Sequence, residues 1–164
     1  MREDAEISTA KEAADHDLVL AFGRLQGAAN RLEYILGRAI ERECGISHLM
    51  FEVLLIVGRA DGEGLAMRAI AQEQVLTTGG LTRLVDRMEA AGLVERAEDP
   101  ADRRGRLIRL TDVGRETTVR AARVHVANIQ RYFLAPLPEA DRDRFAEDLR
   151  LLSRSAREQL PRLP

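Results

Sequence analysis

The chain has 164 residues, 45% hydrophobic and 32% charged, which fits one globular domain with its own core and excludes a largely disordered chain. A single cysteine, Cys44, rules out an intramolecular disulfide, and three scattered histidines give no zinc spacing, so no metal or other cofactor is expected. The longest apolar run, 53–57, is far shorter than a membrane span and no hydrophobic signal core follows Met1, which makes a cytoplasmic protein without a membrane partner the expectation. The net charge of -2 hides an uneven distribution. Residues 1–17 carry two basic and six acidic side chains (net -4), whereas 103–123 carry seven arginines against Asp112 and Glu116 (net +5).

Apolar residues at Leu18, Phe22, Leu25, Ala29, Leu32, Leu36 and Ala39 alternate by four and three, the seam of a long first helix ending near Gly45. Gly23, Gly27 and Gly37 weaken it, which predicts close helix contacts. The acidic stretch before it leaves disorder or a short extra helix open. Ser47 is placed to cap a second helix carrying Met50, Val53, Leu54 and Val57, halted by the Asp61–Gly64 run. A short helix over 67–74 buries Ile70 and Ala71. Thr77 and Thr78 then begin a helix with Leu81, Leu84, Val85 and Met88 on one face, leaving Gly79, Gly80, Thr82, Arg83, Asp86 and Arg87 opposite, and Gly92 terminates it.

Residues 93–97 and 106–110 read as the strands of a hairpin with a long polar tip over 98–105. Thr111 caps a further helix with a seam of Val119, Ala122, Val126, Ile129 and Phe133, broken by Pro136 and Pro138. The last helix starts around Pro138 and buries Phe145, Leu149, Leu152 and Ala156. The expected fold is therefore mainly α with a small β-hairpin wing: a winged helix-turn-helix over 47–111, flanked by helices at 1–46 and 112–164. Too little chain intervenes to bury the terminal seams within one subunit, which implies a homodimer through those helices.

The stretch Gly79, Gly80, Leu81, Thr82, Arg83, Leu84, Val85, Asp86, Arg87, Met88, Glu89, followed by Ala91, Gly92, Leu93, Val94, Glu95 and Arg96, resembles the recognition helix and first wing strand of the MarR family of bacterial transcription regulators. Asp99, Pro100, Ala101, Asp102, Arg103, Arg104 and Gly105 resemble its wing, and Leu110, Thr111, Asp112, Val113 and Gly114 the turn into its next helix. The resemblance implies a homodimeric repressor that binds a pseudo-palindromic double-stranded DNA operator and is released by a small-molecule effector or an oxidant. Thr77, Thr78, Gly79, Gly80 and Thr82 would then lie at the helix end entering the major groove, where backbone N–H groups and the helix dipole favour phosphate. Arg83 is placed for a bidentate guanine contact and Arg87 for phosphate, with a salt bridge from Arg87 to Asp86 or Glu89 as the ordinary alternative. In the wing the family's Asp-x-Arg pattern maps onto Asp102 orienting Arg104 for the minor groove, with Arg103 a second backbone contact; a solvated charged turn is the plainer reading.

An effector crevice in this fold lies between dimerisation helices and winged domain, where Arg31, Tyr34, His48 and Phe51 are candidates; each also has an ordinary core or surface reading. The lack of tryptophan departs from the urate-responsive branch. Cys44, with Arg42 and His48 nearby in sequence, is a redox candidate, but the family's peroxide-sensing branch carries its cysteine near the start of the first helix. No catalytic constellation is present: residues three before each histidine are Ala13, Gly45 and Ala122, which excludes Glu-x-x-His, and no nucleophile elbow or phosphate loop occurs. An enzyme is not expected. The rivals to a ligand-released repressor are an activator, a regulator acting through Cys44, and a winged-helix protein-interaction module.

Overall fold

The computed structural model describes residues 7–60, 62–74, 78–99 and 102–159, with only the backbone described at residues 74, 78 and 102–104. Among these residues, seven α-helices and three strands follow in the order α1 (Ala10–Asp15), α2 (Asp17–Cys44), α3 (His48–Gly58), β1 (Leu65–Ala66), α4 (Met67–Gln74), α5 (Thr78–Ala90), β2 (Val94–Asp99), β3 (Asp102–Leu110), α6 (Asp112–Ile129) and α7 (Arg142–Gln159). The architecture is mostly helical with a small antiparallel sheet, as the residue pattern predicts.

Caps explain where the helices begin. Thr9 and Glu12 form a capping box, so the acidic N-terminal stretch contributes a short helix. Ser47 Oγ accepts from the Met50 N–H at 3.2 Å to start α3, and Thr111 Oγ1 accepts from the Gly114 N–H at 2.9 Å to start α6. Gly92, with φ 68°, ends α5 in the left-handed region where glycine is favoured.

The core sits where α3, α4 and α5 meet the sheet. Phe51, Val53, Leu54 and Val57 of α3, Ile70 of α4, Leu81, Leu84, Val85 and Met88 of α5, Val94 of β2 and Ile108 of β3 are all essentially inaccessible to solvent. Each such side chain contributes roughly 1.5–3 kcal/mol over its exposed state, so the winged unit is held by tertiary burial rather than helix propensity. Ile40 of α2 and Ala121 of α6 extend this core, and α2 packs on both α3 and α6. Of the three glycines that weaken α2, Gly37 marks the approach of another helix: a Cβ there would lie 3.2 Å from His48 Cβ, whereas at Gly27 it would meet the Arg31 side chain of α2 itself.

Three expectations are corrected. A third strand, β1, pairs with β3 through Leu65 with Ile108 and Ala66 with Leu107, giving the order β1-β3-β2. The polar residues of the wing are ladder rather than tip: Glu98 faces Arg106, and Asp99 faces Asp102 after a register irregularity. Strand pairing uses backbone groups, so charge did not end it. On α6 the face turned toward the rest of the chain is Gly114, Thr117 and Ala121, and Val119 and Val126 of the seam stay exposed in the single chain, in keeping with too little chain to bury the terminal seams within one subunit. The chain continues beyond Ile129 as a π-helical turn, Gln130–Leu134, and a 3-10 turn, Glu139–Asp141, precedes α7.

Much apolar surface has no cover in the single chain. Leu18, Phe22 and Leu25 of α2 and Leu152 of α7 are 47%, 60%, 44% and 59% exposed, and α7 buries no residue at all. Against the rest of the chain α7 has the Phe133–Phe145 ring contact at 5.8 Å and an ion pair from Arg157 to Glu73 of α4 at 3.2 Å.

Candidate nucleic-acid interface

Helix α5 presents a polar face because its apolar residues recur at i, i+3, i+4 and i+7. Leu81, Leu84, Val85 and Met88 point inward, and Gly79, Gly80, Thr82, Arg83, Asp86 and Arg87 point outward. Thr77 lies outside the described residues, and Thr78 begins the helix. Gly79 is exposed, and a Cβ there would meet nothing within 4 Å. Nothing in the fold requires glycine at this position; a group approaching from outside would benefit from it.

Arg83 and Arg87 are exposed and make no ion pair among the described residues. The acids expected to compete for Arg87 are held elsewhere: Arg96 of β2 donates from Nη2 to Asp86 Oδ1 at 2.5 Å and from Nη1 to Glu89 Oε2. Hydrogen bonding to Asp86 is the main influence holding the Arg96 guanidinium above its ordinary range. Sequence reasoning missed this residue. Its signal was the pair of acids on one flank of α5, three residues apart, facing a strand arginine.

Asp102, Arg103 and Arg104 lie at the start of β3, with their side chains outside the description. Behind the wing, Thr111 joins β2 to α6: its Oγ1 donates to the Gly92 carbonyl at 2.6 Å and its N–H to the Leu93 carbonyl at 3.2 Å. A Cβ on Gly114 would fall 1.9 Å from the same Leu93 oxygen, so only glycine allows α6 to start this close to the winged unit.

The four effector candidates separate. Tyr34 and His48 share a surface cleft of about 410 Å³ between α2 and the start of α3, with Asn30, Gly37, Arg38 and Ser47 on its walls. Arg31 is exposed on α2 outside the cleft lining, and Phe51 is buried behind it, edge-on to His125 at 5.1 Å. His125 of α6 also meets His48 at 5.4 Å, and its Nδ1 is buried without a hydrogen-bond partner among the described residues. Burial, reinforced by His48, holds the His125 imidazole below its usual range. Cys44 is a buried free thiol at the edge of the core. Among the described residues no cluster of three or more potential metal ligands occurs, and no helix is long and apolar enough to cross a membrane.

Comparison with known proteins converges on one family. A model of the MarR family matches residues 45–105, the span from the end of α2 through the wing. The transcriptional activatory protein BadR of Rhodopseudomonas palustris is 36% identical over 107 residues, 63% of this chain and 61% of BadR. This chain thus spans less than two thirds of that relative's length. Among solved structures, Sco3205, a MarR family regulator of Streptomyces coelicolor in complex with DNA, matches with a TM-score of 0.76 at 27% identity over 94% of this chain and 92% of that one. CouR of Rhodococcus jostii, bound to p-coumaroyl-CoA, matches with a TM-score of 0.72 at 27% identity over 89% and 95% of the two chains. With its winged fold, its α5 motif and this shared similarity, the chain belongs to the MarR family of transcriptional regulators.

Proposed function

We propose that the protein is a homodimeric, sequence-specific DNA-binding regulator that represses from a pseudo-palindromic operator and is released by a small-molecule effector. The observation that carries the reading is the outward face of α5, where Arg83 and Arg87 have no ion-pair partner among the described residues and stand beside an exposed glycine at the helix start. A helix so disposed enters the major groove by its N-terminal end, Arg83 reading a guanine edge and Arg87 meeting phosphate. Residues 47–111 form the DNA-binding part, with Arg104 and Arg103 of the wing on the flanking minor groove and backbone. The helices within 1–46 and 112–164 form the dimer, which is supported by the uncovered apolar stripes of α2 and α7. Two recognition helices then meet half-sites about one helical turn, ~34 Å, apart.

The cleft holding Tyr34 and His48 is the effector site in this reading, supported by the small molecule bound in the structurally similar CouR. Activation is the second reading, favoured by the activatory role in BadR's name; a reporter driven from the bound promoter, with and without the protein, separates the two. A response through Cys44 would first need its buried thiol uncovered.

The test is selection of a binding site from random duplexes, repeated with Arg83→Ala and Arg104→Ala. Arg83→Ala should cost roughly 1–3 kcal/mol and relax one operator position, and Arg104→Ala should weaken the preference for A·T-rich flanks. Unchanged affinity and sequence preference in both variants would remove the assignment and favour a protein-interaction module.

A further inference from the structure

Arg96 lies outside the surface assigned to DNA, yet it engages both acids of the recognition helix. It is only 28% exposed, rises from β2 against the flank of α5, and divides its two terminal nitrogens between Asp86 and Glu89. Asp86 is three residues beyond Arg83 and adjacent to Arg87, and Glu89 is two beyond Arg87. On a helix surface the i, i+3 spacing brings Asp86 within reach of Arg83, so a free Asp86 would compete with DNA for that guanidinium. Both carboxylates border the face that meets phosphate, where uncompensated negative charge opposes binding.

We propose that Arg96 is a positioning residue for DNA binding. By holding Asp86 and Glu89 against β2 it keeps Arg83 and Arg87 unpaired and keeps the acids' charge from the phosphates. The proposal rests on the DNA-binding reading above and adds a role for a residue that need not touch DNA. It also ties the wing strand to the recognition helix, so that both present to the duplex as one piece.

Two measurements test it, each with thermal unfolding to confirm the fold. In the free protein, NMR of arginine side chains reports rotation about the guanidinium Cζ–Nε bond. Arg96 should be hindered and Arg83 and Arg87 free in the wild type, and Arg83 should become hindered in Arg96→Gln. An Arg83 already hindered in the wild type, or unchanged in the variant, overturns the proposal without involving DNA. In DNA binding across a salt series, Arg96→Gln should bind about tenfold more weakly at low salt, with a log–log salt slope shallower by about 1, the mark of one lost positive charge. The variant combining Arg96→Gln with Asp86→Asn and Glu89→Gln should recover most of the affinity, because no acid is left to neutralise. A triple variant as weak as the single one would show that Arg96 is only a structural fastening, and would overturn the charge role. A wild type with no specific DNA affinity would instead refute the proposed function itself, while the NMR result still reports the pairing.

Discussion

The same substitution at two glycines should separate the stability of this protein from its binding. At Gly114 a new Cβ would lie 1.9 Å from the Leu93 oxygen, whereas a carbon and a carbonyl oxygen approach no closer than about 3.3 Å, so the start of α6 must retreat by more than 1 Å. The retreat strains the bonds that Thr111 makes to Gly92 and Leu93, at 2.6 and 3.2 Å, and the 2.9 Å cap bond to Gly114 itself. Overpacking costs about 1–3 kcal/mol and the loss of a cap and its hydrogen bonds about 1–2 more, so Gly114→Ala should lose roughly 2–5 kcal/mol, a large share of a typical domain's stability. At Gly79 the Cβ meets open space, and the alanine should leave folding unchanged or raise stability by up to about 0.5 kcal/mol, yet weaken DNA binding by obstructing the approaching backbone. Urea unfolding at one fixed protein concentration, read as a midpoint shift with constant slope, checks both stabilities, and anisotropy checks binding. A Gly114→Ala protein within 1 kcal/mol of wild type would refute the packing argument. A Gly79→Ala protein with wild-type DNA affinity would refute the role given to the start of α5.

Other consequences are equally direct. Leu25→Glu changes a residue that is 44% exposed in the single chain and should hardly affect an isolated subunit, but it should shift the sedimenting species from a dimer toward the 18.3 kDa monomer. A variant that stays dimeric would place the interface elsewhere. Burial lowers the affinity of His125 for a proton in the folded state, so the unfolded chain binds the proton more readily. The stability this supplies is complete above the ordinary histidine value of about 6.5 and is lost as pH falls below it toward the depressed folded value. Unfolding midpoints at pH 7.5 and 5.5 should therefore differ less in His125→Phe, whose ring can pack against Phe51, than in the wild type; equal pH dependence would show that other groups carry the effect.

Helix α5 was legible because its spacing admits one inward face, and Leu81, Leu84, Val85 and Met88 occupy it. Ser47 and Thr111 were equally readable, since a hydroxyl before a helical stripe can satisfy an orphan N–H. The inward face of α6 was not legible for a physical reason: small residues at Gly114, Thr117 and Ala121 permit close packing without a hydrophobic signal, while the stronger stripe of Val119 and Val126 faces away from the chain. Two residues of β1 carry no alternation to detect, and the charged part of the wing pairs through its backbone. The clamp by Arg96 depends on which strand lies beside α5, which only the tertiary fold determines. Of the effector candidates, Tyr34 and His48 meet in a cleft while Phe51 turns inward, a distinction that residue type alone could not make.

The most direct measurement is fluorescence-anisotropy binding of the wild-type protein to the DNA immediately upstream of its own coding sequence and to a scrambled duplex, across a salt series. A specific DNA-binding regulator binds the first tightly and the second weakly, with an affinity that falls steeply with salt as several phosphates release their counterions. Weak and equal binding to both duplexes, followed by failure to enrich any sequence from a random pool, would contradict that role.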